Sequence, residues 1–177
     1  GVGICHEKRG EFPKARKFFG ETLSVEPSYA DAWYGLGNCE RNSRHFALAA
    51  DHFRKAIEID PAEENYWFSL AEVCMELENL AEAELALEKV MSLNPASLGG
   101  RLLLAELYFD TGETIKAQFI LAEGEELHAD NSLFFFLQAA CYLNNGLRTD
   151  ALQTLQTALD LEPGGFDTFL DAAPDAR

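Results

Sequence analysis

Apolar and small residues along this chain recur at steps of three and four. Trp33, Leu36 and Gly37 are spaced in this way ahead of Glu40, and Ala49, Phe53 and Ala56 continue in the same rhythm. Such steps place side chains on one face of a helix, so the pattern predicts two consecutive helices. The stretch from Arg41 to His45 between them is polar and reads as a turn. Pro61 closes the unit. A proline has no N–H to extend a helix, and it biases the residue before it towards extended backbone. The unit is therefore helix, short turn, helix and a proline-marked turn.

This unit returns every 34 residues. Ala15, Ala49, Ala83, Ala117 and Ala151 form an unbroken ladder at that period, and Phe19, Phe53, Leu87, Leu121 and Leu155 form a second. Pro27, Pro61 and Pro95 form a third, which skips at Ala129 and resumes at Pro163. Trp33 and Trp67 open a fourth, continued by Arg101 and Phe135. Gly10, Gly112 and Gly146 fall in the internal turns. Ladders in phase are the mark of a repeat architecture, in which one unit cannot bury its own apolar face and stacking makes the core continuous. Small residues at Gly37, Ala71, Ala105 and Ala139 would let neighbouring helices approach closely.

The period and the residues together resemble the tetratricopeptide repeat family. Trp33, Leu36, Gly37, Ala49, Phe53, Ala56 and Pro61 match its pattern in full. Trp67, Leu70, Ala71, Ala83, Leu87 and Pro95 match closely, as do Phe135, Ala139, Tyr142, Ala151, Leu155, Ala158 and Pro163. The fourth unit matches at Leu104, Ala105, Tyr108, Ala117 and Leu121 and departs at Arg101, Gly124 and Ala129. The resemblance implies an all-α fold, a right-handed superhelix of antiparallel helix pairs. It covers residues 1–163, with units at 1–29 (partial), 30–63, 64–97, 98–131 and 132–163, followed by a tail at 164–177. The missing proline at Ala129 predicts a longer or differently angled second helix in the fourth unit, stopping at Asp130-Asn131-Ser132. Phe169 lies 34 residues after Phe135, so residues 166–173 are expected to begin a further first helix or a short capping helix, ended by Pro174. The chain opens inside a helix and lacks an initiator Met, so a piece of a longer array is expected.

Composition narrows the partner. Thirty acidic residues against 14 basic ones give a formal net charge of −16. Nucleic acid and anionic membrane surfaces would be repelled, and a basic or neutral partner is expected. No apolar stretch approaches a membrane span, and Gly1 to Gly10 lack the apolar run of a signal peptide. No membrane insertion is expected, and a soluble, cytoplasmic chain is slightly favoured, although composition does not reveal a compartment.

Candidate chemistry is sparse. Phosphate-loop, dinucleotide-loop, zinc-protease and nucleophile-elbow motifs are absent. The chain is therefore read as no enzyme, with no catalytic residue, metal or cofactor. Cys5, Cys39 and Cys141 share one repeat position and Cys74 follows one residue later, which suits small buried thiols. A Cys5–Cys39 bridge is conceivable but not favoured. His45 and His52 are seven apart, yet the turn falls at His45, so ordinary histidines are expected. Glu63-Glu64 and the run Glu123 to Glu126 read as solvated helix surface.

In the resembling family, first helices line a concave groove. The inward positions lie one, five and eight residues after the aromatic. Here they are Tyr34, Asn38 and Arg41; Phe68, Glu72 and Met75; Leu102, Glu106 and Phe109; Phe136, Ala140 and Leu143. Large apolar residues on such a stripe point to a partner surface, unless the phase is off by one and they belong to the core. The family's two-carboxylate clamp for chaperone tails is not expected, because Glu72 and Glu106 would face the ligand's carboxylates. The expected partner is another protein or peptide segment, apolar and partly basic, extended or helical. The alternatives are a self-associating assembly module, a homo-oligomer formed through repeat ends or groove, or the regulatory arm of a larger enzyme.

Overall fold

The computed structural model describes residues 11–165. They form the helices α1 Phe12–Val25, α2 Ala30–Asn42, α3 Phe46–Ile59, α4 Glu64–Glu76, α5 Leu80–Leu93, α6 Leu98–Asp110, α7 Thr114–Gly124, α8 Ser132–Asn144 and α9 Arg148–Leu161, with no strand among the described residues. The fold is an all-α helical repeat. The expected first helix of the first unit, with Cys5, His6 and Gly10, lies outside the described residues, as does the expected helix over 166–173.

The chain divides into two compact units, Gly1–Pro95 and Ala96–Arg177. In the first, α1 packs on α2, α2 on α3, α3 on α4 and α4 on α5. In the second, α6 packs on α7, α7 on α8 and α8 on α9, and α6 also touches α8.

The ladders are the core of each unit. Ala15, Ala49, Ala83 and Ala117 are fully buried, and Phe19, Phe53, Leu87 and Leu121 are buried beside them. Each large side chain so buried contributes about 1.5–3 kcal/mol. Leu155 holds the same register but is only half-buried. Gly37 shows how close the helices come: a Cβ there would overlap the Phe53 ring.

The tryptophan and proline ladders are joined by one bond. Trp33 Nε1 donates to the carbonyl of Pro27, and Trp67 Nε1 donates to that of Pro61, each at 2.9 Å. A single side chain thus packs the start of a first helix and ties it to the turn before. Phe135, whose preceding turn carries Ala129, has no donor to offer.

The internal turns share a helix stop. After α2, His45 N–H bonds Glu40 O and Arg44 N–H bonds Arg41 O; the same pair of bonds follows α4, α6 and α8. These are the two bonds of the Schellman motif, which needs a left-handed residue just past the helix. That residue is Arg44, Glu78, Gly112 and Gly146, at φ of 60°, 56°, 80° and 75°. All four lie one repeat apart, so two of the turns place a side chain where glycine is the easy choice.

The fourth unit departs from expectation. Its second helix, α7, has 11 residues where α3, α5 and α9 have 14, so it is shorter rather than longer. Arg101, in the tryptophan position, is buried, and its Nη1 donates to Ile120 O at 2.6 Å. Its stem lies against Gly124, where a Cβ would overlap it. Glycine is a poor helix residue, and α7 ends on it. The chain then turns through His128, buried against Phe134 at a ring separation of 5.6 Å. Asn131 restarts the helix by accepting the Phe134 N–H on Oδ1 at 2.9 Å.

Candidate functional site

In the first unit the positions expected to face inward lie on α2 and α4. Their side chains meet directly. Arg41 Nη1 donates to Glu72 Oε2, so the cation and the carboxylate of the stripe neutralise one another. Tyr34 packs its ring 5.0 Å from Tyr66 and 5.6 Å from Phe53. Ser69 Oγ donates weakly to the Tyr34 hydroxyl at 3.4 Å, and the Tyr66 hydroxyl donates to Asp31 at 2.6 Å. Burial, then the Asp31 bond, pushes the Tyr66 pKa up, so that hydroxyl keeps its proton. Phe68 and Met75 are half-buried. Asn38 is 5% exposed and its Oδ1 accepts no hydrogen bond among the described residues. A buried acceptor without a partner is uncommon, and a water or a ligand N–H would satisfy it.

In the second unit, Leu102 and Phe109 on α6 and Leu143 on α8 are half-buried, and Glu106 is exposed. Desolvation of the Glu106 carboxyl, then the charge of Asp110 one turn on, raises its pKa. Phe136 does not belong to an open stripe. It is fully buried, with Gly165 set against its ring so closely that a Cβ would overlap it. The turn after α9 folds back there, and Ser132 Oγ donates to Glu162 at 2.6 Å beside it. Burial is continuous from Phe134 to Cys141, because α6, α7 and α9 all pack on α8. Ala140 is buried with them.

Other polar side chains are tied into the framework. Arg54 makes a two-point contact with Glu82, at 2.7 and 2.8 Å, linking α3 to α5 and holding the Glu82 carboxyl below its ordinary range. Glu40, 4% exposed, is paired with Arg16 at 2.9 Å and His45 at 2.8 Å. Helical spacing sets this glutamate on the same face as Leu36 and Gly37, and it is buried with them. Cys39, Cys74 and Cys141 are buried. Burial pushes the thiols of Cys74 and Cys141 up to about 12, which leaves them protonated and unreactive. Among the described residues no group of three or more His, Cys, Asp or Glu is arranged to hold a metal ion, and no helix is long and apolar enough to cross a membrane.

Comparison with known proteins agrees with this architecture. The family model described as the cilia and flagella-associated protein 70 middle TPR-like domain matches residues 5–129. No curated protein matches by sequence. Among solved structures, YrrB, described as a TPR protein with an unusual peptide-binding site, is 24% identical; the match covers 96% of this chain and 87% of that one, with a TM-score of 0.83. MamA from Desulfovibrio magneticus RS-1 is 17% identical over 92% of each chain, with a TM-score of 0.82. A thermophilic TPR protein of Thermus thermophilus is 21% identical over 98% of this chain and 94% of that one, with a TM-score of 0.67. At these identities the likeness shows the fold.

Proposed function

The chain belongs to the family of the cilia and flagella-associated protein 70 middle TPR-like domain, and from that premise we propose that it is a protein-interaction scaffold. Its first helices hold an apolar, partly basic segment of another protein. The observation that carries the reading is the set of half-buried apolar side chains at inward positions, Phe68 and Met75 in one unit and Leu102, Phe109 and Leu143 in the other. Such residues pack on their own helices yet keep a surface to offer a ligand. Glu106 supplies an acidic point for a lysine or arginine, whereas Glu72 is already matched by Arg41. A ligand carboxylate is poorly served, because the cation of the first stripe is occupied. The peptide-binding site ascribed to YrrB supports the same class of activity. The net charge of −16 favours a basic segment over an acidic one.

The test is capture from a lysate of ciliated cells, the source to which the family name points. Phe68→Ala with Phe109→Ala should keep the helical circular dichroism and reduce the captured set. Full capture by the double variant would refute the proposal.

A further inference from the structure

The four complete repeats provide an internal control for their outer surfaces. On the second helix of each, one stripe points away from the buried ladder positions. On α3 it carries Ala47, Asp51 and Arg54; on α5 Ala81, Leu85 and Glu88; on α9 Thr149, Gln153 and Gln156. In α3 the stripe is closed on itself by the Arg54–Asp51 ion pair at 2.7 Å. The α5 stripe holds one exposed leucine, a common solitary feature of protein surfaces. On α7 the same stripe is Ile115, Phe119 and Ala122, apolar throughout. Ile115 is 77% exposed and Phe119 62%.

Beside this ridge is a recess. Tyr108, Ile115, Lys116, Phe119 and Ile120 line a shallow pocket of about 350 Å3. Lys116 stands 4.8 Å over the Tyr108 ring and pairs with Glu113 at 2.5 Å, so its charge is spoken for. Along the chain the ridge is flanked by exposed acids, Asp110 at one end, beside the Lys116-paired Glu113, and Glu123, Glu125 and Glu126 at the other. A ridge, an adjoining pocket for one anchor side chain and acidic ends match one face of an amphipathic helix with basic flanks.

We propose that the outer face of α7 docks a short amphipathic helix of a partner protein, with an apolar anchor in the Tyr108–Phe119 pocket and lysines or arginines towards the flanking carboxylates. This surface is separate from the inward positions of the first helices. A second copy of the chain is a poor occupant. Ile115 and Phe119 together present on the order of 300 Å2 of apolar surface. Two copies face to face would bury roughly 600 Å2, half of what stable dimers begin with. Each copy also carries −16, so the two would repel. A single helix making a transient contact fits both the area and the charge.

The probe is a fluorescein-labelled synthetic helix of leucine and lysine with its leucines on one face, compared with a counterpart carrying glutamate in place of lysine. Affinity is read by fluorescence anisotropy on the full chain. Ile115→Gln with Phe119→Gln, both at exposed positions, should keep the circular dichroism and weaken the leucine–lysine helix roughly ten-fold or more. Leu152→Gln, at an exposed leucine on α9 outside both surfaces, should leave its affinity within about two-fold. The glutamate counterpart should bind the unsubstituted chain roughly ten-fold more weakly. Equal affinity in the Ile115/Phe119 variant, or equal affinity for the two probes, overturns the proposal. So does light scattering that shows the unsubstituted chain dimerising and the variant monomeric, because the occupant would then be a second copy.

Discussion

Glu78 sits where the turn geometry calls for glycine, so replacing it with glycine should stabilise the protein. Its φ is 56°, in the left-handed region, where a side chain costs about 1–2 kcal/mol through its Cβ. Glycine at the same place avoids that cost but loses more backbone freedom on folding, an offset of about 0.5–1 kcal/mol. The net expectation for Glu78→Gly is a gain of about 0.5–1 kcal/mol, which raises the melting temperature by roughly 2–4 °C per kcal/mol for a chain of this size. The Glu78 side chain is exposed and makes no hydrogen bond or ion pair among the described residues, so little else changes. Gly112 and Gly146 provide the reverse experiment. Both have positive φ and no atom within 4 Å of a built Cβ, so alanine there meets only backbone strain. Gly112→Ala and Gly146→Ala should each lose about 1 kcal/mol. Glu78→Ala should be close to neutral, because both residues carry the same Cβ cost. Arg44→Gly is a poorer probe, since the Arg44 guanidinium lies 5.9 Å over the Phe46 ring. Urea unfolding followed by circular dichroism measures the series. A Glu78→Gly variant no more stable than the parent, with Gly112→Ala unchanged, would refute the account of these turns.

Two further outcomes follow from glycines inside helices, and a third from a buried histidine. Gly20 lies inside α1 with open space around a built Cβ, so Gly20→Ala should stabilise by up to ~1 kcal/mol from helix preference alone. Gly37→Ala carries the same helix gain but drives a Cβ into the Phe53 ring, so thermal melts should show a net loss of about 1–3 kcal/mol. His128 has its pKa lowered from 6.5 by burial first and then by Arg101, with Asp130 opposing. A depressed histidine stabilises the fold while neutral, so its contribution is complete above about pH 6.5 and is lost as pH falls through that value towards the folded pKa. Stability should therefore drop more between pH 7 and pH 5 in the parent than in His128→Gln; parallel profiles would remove the histidine from the explanation.

Legibility follows the period. The alanine and phenylalanine/leucine ladders are buried where the 34-residue register puts them, except at the half-buried Leu155, because each repeats one packing position in a helix pair. The turns at Arg41–His45 and at Gly112 and Gly146 are readable from polarity and glycine. That Arg44 and Glu78 share the left-handed position is not, since their residue type argues against it. The missing proline at Ala129 is a poor guide to the length of α7. Its end is at Gly124, where Arg101 requires the space of a Cβ. Register places Phe136 on an exposed stripe, because register describes a helix face and not what later chain folds over it.

The amino-acid sequence by itself determined the class of structure: helix pairs, their 34-residue period, and the ladder positions at which they pack. Periodicity is a local property, and it is written in every repeat. Tertiary structure decided which of those faces stay open. Gly165 covers Phe136, Arg41 is matched by Glu72, and the Ile115–Phe119 ridge is left bare. Exposure depends on what neighbouring elements cover, and no single helix carries that information in its own spacing.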